Sequence, residues 1–316
     1  MLRFAIRRFA AAVGVLVAIS ILTFLIFEAI PNGNPALRLA GRTASPADIA
    51  AVERTYGFDK PIWVQYARTM KEVFTGSIQS YTQHVTVMSQ IKRGLPATVS
   101  LAVGAAVIWL LVSVVLGLVA ALRAGRALDT TITVVGFTGI SAPSFVVGAV
   151  LLYLLAFKTH LFPNGGYVGP STSIPSWLHH MLLPWISLAV LYIGIYSQVL
   201  RSTVVDTLSE DFVRTARAKG LSRRRILTGH VLRTSLIPLV SLFGLDFAGV
   251  VGGGAILVED VFNLNGVGQY IAQSISSLDV PPILVGVLFG AIFVVLFSAL
   301  VDVVYAALDP RIRLQA

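Results

Sequence analysis

The sequence predicts an all-α membrane protein that crosses the bilayer six times. Of its 316 residues 56% are hydrophobic and only 12% charged, far from the balance of a soluble globular domain. Six apolar stretches each approach or exceed the roughly 20 residues that a spanning helix needs. Lys and Arg gather in alternate links between those stretches, as orientation by positive charge requires. The net charge of +9 therefore belongs to membrane topology, and nucleic acid is excluded as a partner. With no cysteine, the chain can hold no disulfide, thiol nucleophile or cysteine-ligated metal.

Taken in order, the first span covers Phe9 to Ala29 behind Arg3, Arg7 and Arg8. No small-residue cleavage site follows, so it is expected to be a retained helix with its N-terminus cytoplasmic. Residues 31–95 form the longest polar region and are expected outside, since long translocated segments escape the charge rule. Within it, Ser45 is placed to cap a helix over Pro46 to Tyr56. Pro61 to Phe74 reads as an amphipathic helix with Trp63, Tyr66 and Phe74, lying on the outer membrane surface or the bundle mouth. The later spans are expected at Pro96–Ala121, Thr131–Phe157, His180–Leu200, Leu236–Val258 and Ile283–Leu308, within one transmembrane domain over residues 1–316. Arg123 and Arg126 mark an inner link, Glu259 to Pro282 has no Lys or Arg and reads as outer, and Arg311 and Arg313 put the C-terminus inside.

The informative polar stretch is the 201–235 loop, expected to be cytoplasmic. Ser209 is positioned to cap a short helix with Glu210 and Asp211 in its first turn and Arg217 and Lys219 near its end, complementing the helix dipole. Gly220 is expected to end that helix in a left-handed conformation. Ser222 then caps a second helix through Ile226 to about Arg233, and Pro238 opens the next span. Phe212 and Ala216, four apart, are expected to form an apolar knob on a basic stem that docks in a partner's groove.

At these residues the chain resembles the permeases of ABC importers. Arg214-Thr215-Ala216, Gly220, Ile226 and Pro238 fall at the spacing of that family's cytoplasmic signature loop, and TARAKGLS is similar to the peptide and nickel branch. Further resemblances lie at Leu95-Pro96-Ala97-Thr98, Ser141-Ala142-Pro143-Ser144-Phe145, Val258-Glu259-Asp260-Val261-Phe262 with Gly266 and Gly268, and Asp309-Pro310-Arg311. Three positions depart from the usual pattern: Arg214 replaces a Glu, Gly76-Ser77 replaces Gly-Asp, and Asn265-Gly266 replaces Pro-Gly.

The resemblance implies the type I ABC importer permease fold, of the dipeptide, oligopeptide and nickel type, in a bacterial inner membrane. It implies a second homologous permease chain, two ATPase subunits or domains, and an extracytoplasmic substrate-binding protein. ATP and Mg would be held by the ATPase subunits, with no cofactor on this chain. Asp211, Phe212, Arg214, Thr215, Ala216, Lys219, Gly220, Ser222 and Ile226 would then be the ATPase-coupling residues, on a 211–222 coupling helix. Substrates of the branch include di- and oligopeptides, nickel chelates, glutathione and haem.

Enzyme motifs fail by inspection. There is no Gly-x-x-x-x-Gly-Lys phosphate loop, no His-Glu-x-x-His and no Gly-x-Ser-x-Gly. The adjacent His179 and His180 point in different directions on a helix and suit a membrane interface better than a metal. Asp246 stands inside the fifth span, where a carboxylate either faces a polar path or bonds a neighbouring helix. With Ser141, Ser144, Gly249 and Gly253 it is a candidate for the translocation path. Gly249 and Gly253, like Gly286 and Gly290, lie four apart and are expected to let helices approach closely. Asp302, near the inner end of the last span, is expected to reach the interface or a basic loop residue. A transporter driven by an ion gradient through Asp246 is the alternative from a different class.

Overall fold

A computed structural model describes residues 2–29, 35–41 and 43–308. The Asp309-Pro310-Arg311 motif and the side chain of Asp302 lie outside the described residues. The described chain is mostly helical, and in order the helices are α1 Leu2–Phe24, prolonged by a π turn to Ala29, α2 Pro35–Ala40, α3 Pro46–Tyr56, α4 Ile62–Thr75, α5 Val87–Leu122, α6 Ala127–Ser141 and α7 Ser144–Leu151, prolonged by a π turn to Lys158. After these come α8 Ile174–Ser209, α9 Asp211–Ala218, α10 Arg223–Ile226, a π turn Leu227–Val231, α11 Leu232–Ser235, α12 Ile237–Gly249 with a π turn to Gly254, α13 Ile256–Val261, α14 Val267–Ser276 and α15 Val280–Leu308.

Among the described residues five helices are long and apolar enough to cross a membrane, and a bent pair of helices makes a sixth candidate. The expected span Thr131–Phe157 is that pair: α6 and α7 meet at 97°. The cause is local, because Pro143 forces its predecessor out of the helical region, and Ala142 sits at φ −91°, ψ 119°. Two other spans are longer than hydropathy suggested. α5 begins at Val87, inside the segment expected to be external, because Val87 and Ile91 are buried four apart against α14 and α15. α8 continues to Ser209, with Val204 and Thr207 still buried.

The core is the α5–α8 pair, where Trp109, Leu101, Tyr196 and Leu200 are fully buried. Trp109 packs on Tyr192 at 4.5 Å between ring centroids. Small residues set the spacing. A Cβ on Gly117 would stand 2.8 Å from the Ser197 carbonyl, and one on Gly194 2.5 Å from the Gly136 carbonyl, so α5 and α6 lie directly against α8. α12 and α15 meet through Gly252 and Gly290, whose Cβ would stand 2.3 Å from the Gly252 carbonyl. Of the two expected pairs, Gly286 and Gly290 sit in close contacts, with Ile271 and Gly252, whereas Gly249 has open space beside it and Gly253 carries the positive φ of 146° that breaks the helix.

The segment between α1 and α5 is tied to the bundle at several points. Ser45 caps α3 as the sequence predicts, in a reciprocal capping box with Asp48. On α4, Tyr66 bonds Ser20 of α1 at 2.7 Å and packs edge-on against Phe24. Trp63 and Phe74 remain exposed. Asp279, buried before α15, accepts hydrogen bonds from the Ser80 hydroxyl, the Tyr81 amide and the Thr82 hydroxyl and amide.

Candidate coupling surface and transport path

α9 leaves α8 through a single extended residue, Glu210, at φ −65°, ψ 149°. Glu210, and not Ser209, is thus the N-cap; the Ser209 hydroxyl donates backward to the Asp206 carbonyl at 2.7 Å, closing the end of α8. The C-terminus of α9 follows the expectation for Gly220. At φ 77° it permits its amide to reach the Arg217 carbonyl at 3.0 Å and the Leu221 amide to reach the Ala216 carbonyl at 3.3 Å. This is the paired-bond C-cap for which glycine is favoured. Ser222 then caps α10 by accepting from the Arg225 amide.

The knob expected from Phe212 and Ala216 is not one surface. Val213 and Ala216, three apart, are the buried pair, whereas Phe212 is 43% exposed. At 100° per residue the helix can turn only one side inward, and the 213–216 side wins because it fills the space beneath the bundle. Phe212, Arg214 and Lys219 are left outward, with Arg214 3.4 Å from Asp211 on the exposed face. Thr215 donates back to the Asp211 carbonyl at 3.0 Å. Ile226 is buried. It lines a 350 Å³ cavity with Leu122, Leu208, Leu221 and the basic Arg217 and Arg223.

Two connections fix this loop to the spans. Ser235 of α11 donates to Thr207 of α8 at 3.3 Å, and Thr203 of α8 donates to the Ser235 carbonyl at 3.3 Å. Higher on α8, Arg201 grips Asp129 of α6 with two nitrogens, at 2.5 and 2.7 Å. Asp129 also accepts from the Gly125 amide, so its carboxylate closes the link before α6 as well. In the sequence Arg201 reads as loop charge, and Asp129 is not among the candidate residues. The available signal was an acidic residue in the first turn of a helix directly after a basic turn.

The residues proposed for a path sit in different surroundings. Asp246 accepts a hydrogen bond from Tyr196 of α8 at 2.7 Å, which is the neighbouring-helix alternative left open by the sequence. Ser141 and Ser144 flank the α6–α7 break, and Ser141 donates to the Phe137 carbonyl. Gly253 lines a 10 Å³ space shared with Thr98 and Glu259.

Glu259 reads in the sequence as part of a motif and as a charge of a link expected to be external. It is fully buried, and its carboxylate accepts from the Thr98 hydroxyl at 2.6 Å and the Gln269 amide at 3.0 Å at the start of α14. Thr98 in turn accepts from the Val267 amide at 2.9 Å. Burial pushes the Glu259 carboxyl above the usual carboxylate range, while the bonds from Thr98, Gln269 and Gly268 pull it back. Gly266 and Gly268 are small because a Cβ would strike this carboxylate, at 2.2 and 3.0 Å. The Leu95-Pro96-Ala97-Thr98 and Val258–Gly268 motifs are therefore two halves of one structural joint.

Comparison with known proteins fits this arrangement. Residues 113–314 match the family described as "Binding-protein-dependent transport system inner membrane component", and residues 1–102 match its N-terminal companion. The chain belongs to this permease family. The probable peptide ABC transporter permease protein y4tP of Sinorhizobium fredii is 34% identical over 98% of both chains. The dipeptide transport system permease protein DppB of Alkalihalophilus pseudofirmus is 32% identical over 99% of this chain and all of its own. The probable D,D-dipeptide permease DdpB of Escherichia coli is 32% identical over 94% of each. In fold, the permease resembles a chain of the MetNI methionine ABC transporter in an inward-facing form, with a TM-score of 0.55 at 15% identity over 70% of this chain and 97% of that one.

Proposed function

We propose that this permease forms half of the translocation path of an ATP-driven peptide importer and is coupled to its motor through α9. The observation that carries the reading is the division of α9 and its C-cap between Val213 and Ala216, which are sealed to the bundle, and Phe212, Arg214 and Lys219, which stay exposed. A surface built in this way transmits force from a partner below to α8 above. In this reading the 201–235 loop and both termini are cytoplasmic, and the segment before α5 is external. ATP with Mg is hydrolysed on two ATPase subunits, a second homologous permease completes the path, and an extracytoplasmic binding protein delivers the substrate. Full-length similarity to peptide and dipeptide permeases supports peptides as the cargo.

The test is purification of the tagged chain from its own membranes in mild detergent. ATPase subunits, a second permease and peptide-stimulated ATP hydrolysis should accompany it. Recovery of this chain alone, repeated under crosslinking, would overturn the reading.

A further inference from the structure

The helix α4 has three sides. At 100° per residue, Trp63, Ala67, Met70 and Phe74 fall within about 60° of one another and make an apolar stripe. Tyr66 and Val73 share a second side. Gln65, Arg68 and Glu72 share a third, which lies roughly opposite the stripe.

Each side has a different neighbour. The second side meets the bundle, where Tyr66 bonds Ser20 of α1 and Val73 packs on the cluster of Ile78, Val87 and Val267. The third side is polar, and its Arg68 and Glu72 are paired at 3.0 Å. Among the described residues the stripe stays open, with Trp63 71% and Phe74 87% exposed.

The Tyr66 contact sets the depth of α4. The apolar stretch of α1 runs from Ala10 to Phe27. At 1.5 Å per residue, Ser20 lies about 10 Å before the end of that stretch. Phe24, against which the Tyr66 ring packs edge-on, lies about 5 Å before it. Thus α4 crosses α1 within its apolar stretch and not beyond it. At the same level Ile21, Leu22 and Ile26 of α1 are exposed, so lipid is the surrounding medium there. A water-soluble partner would have to enter acyl chains to reach an apolar face at this depth, whereas the bilayer covers it without cost.

From this geometry we infer that α4 is an interfacial helix, its Trp63–Phe74 stripe sunk in the lipid leaflet at the C-terminal end of α1 and its Arg68–Glu72 side turned to headgroups and water. An amphipathic helix in that position buries its apolar face about 5–10 Å into the boundary of headgroups and acyl chains, which matches the depth of the Tyr66 contact. Trp63 suits that boundary, because its ring is apolar and its N–H can still reach a headgroup or water. Seated in this way, α4 braces α1 against the start of α5. None of this depends on which solute is carried.

The experiment reads depth in the complete transporter, reconstituted in phosphatidylcholine and phosphatidylglycerol vesicles with the accessible cysteines of its partner subunits replaced. This chain has no cysteine, so Trp63→Cys, Arg68→Cys and Phe74→Cys each place one spin label on it. Collision of each label with oxygen, which concentrates among acyl chains, is compared with collision with water-soluble chromium oxalate. Oxygen should dominate at positions 63 and 74 and chromium oxalate at position 68, a reversal within one short helix. Dominance of chromium oxalate at 63 and 74 would overturn the inference and leave the stripe in water, open to a soluble partner. Labels at 63 and 74 that are immobilised and reached by neither reagent would overturn it as well, assigning the stripe to contact with another subunit.

Discussion

Asp129 and Arg201 join the first turn of α6 to the C-terminal half of α8 through a two-nitrogen ion pair. Asp129 is 4% exposed, so the carboxylate depends on this guanidinium and on the Gly125 amide. Because α8 runs on into α9 through Glu210 alone, displacement of α9 reaches α8 directly. The ion pair, with the Gly136–Gly194 contact above it, obliges α6 to follow.

Asp129→Ala should therefore lower the melting temperature of the detergent-solubilised protein, since it removes both bonds to Arg201 and the acceptor of the Gly125 amide. The exchanged pair Asp129→Arg with Arg201→Asp should recover part of the loss. Thermal unfolding of the wild type, Asp129→Ala, Asp129→Arg, Arg201→Asp and the exchanged pair checks this, and failure of the exchanged pair to improve on the worse of its two single variants would show that the pair does not act as a unit.

The Thr98–Glu259 joint makes a second expectation. Glu259→Ala leaves the Thr98 hydroxyl and two amides without their acceptor, at roughly 1–3 kcal/mol for each buried group so stranded. Thr98→Val should be milder, and the double variant should be less damaging than the sum of the two. A double-mutant cycle by thermal unfolding measures that coupling, and strict additivity would refute it. Gly266→Ala should resemble Glu259→Ala, because its Cβ would displace the same carboxylate.

Gly220→Val addresses the end of the coupling helix. A Cβ on Gly220 meets no neighbour, so the penalty is confined to the backbone, about 1–2 kcal/mol for a left-handed β-branched residue. Membrane insertion should be unaffected, while ATP hydrolysis continues with reduced uptake. The ratio of ATP consumed to substrate imported in proteoliposomes is the measurement, and a wild-type ratio would count against α9 as the lever.

These residues also show where sequence reading succeeds and stops. Six apolar stretches, the Ser45, Ser222 and Gly220 caps and the capped basic loop were legible because each depends on residues within a few positions. The bend at Ala142–Pro143 was written in the chain too, but continuous hydropathy on both sides masked it. Glu259 with Thr98, and Asp129 with Arg201, are separated by 161 and 72 positions and acquire meaning only when helices pack. The inward side of α9 was misjudged for a related reason: periodicity defines faces, but only the bundle above decides which face is buried.

Phe212 and Val213 provide a direct test of that last point, being adjacent in sequence and opposite in environment. Phe212→Ala should leave thermal stability unchanged and weaken association with the ATPase subunits by about tenfold or more, as loss of an aromatic anchor does at an interface. Val213→Ala should do the reverse, lowering stability by about 1 kcal/mol or more through a cavity against the bundle and leaving association of the folded protein near normal.

Asp246 separates the ATP-driven reading from one driven by an ion gradient. Asn at this position keeps an acceptor for the Tyr196 hydroxyl, at the 2.7 Å contact, but cannot carry a proton or hold a cation by charge. If the residue joins α12 to α8, Asp246→Asn should retain most ATP-driven uptake. Tyr196→Phe, which leaves the carboxylate without its donor in the bundle, should be the more harmful change, lowering stability by roughly 1–3 kcal/mol. Uptake driven by ATP alone and by an imposed proton or sodium gradient, measured for both variants in the same proteoliposomes, distinguishes the two. Gradient-driven uptake in the wild type that disappears in Asp246→Asn would transfer the energy source from the ATPases to this carboxylate, and α9 would then have no partner to answer to.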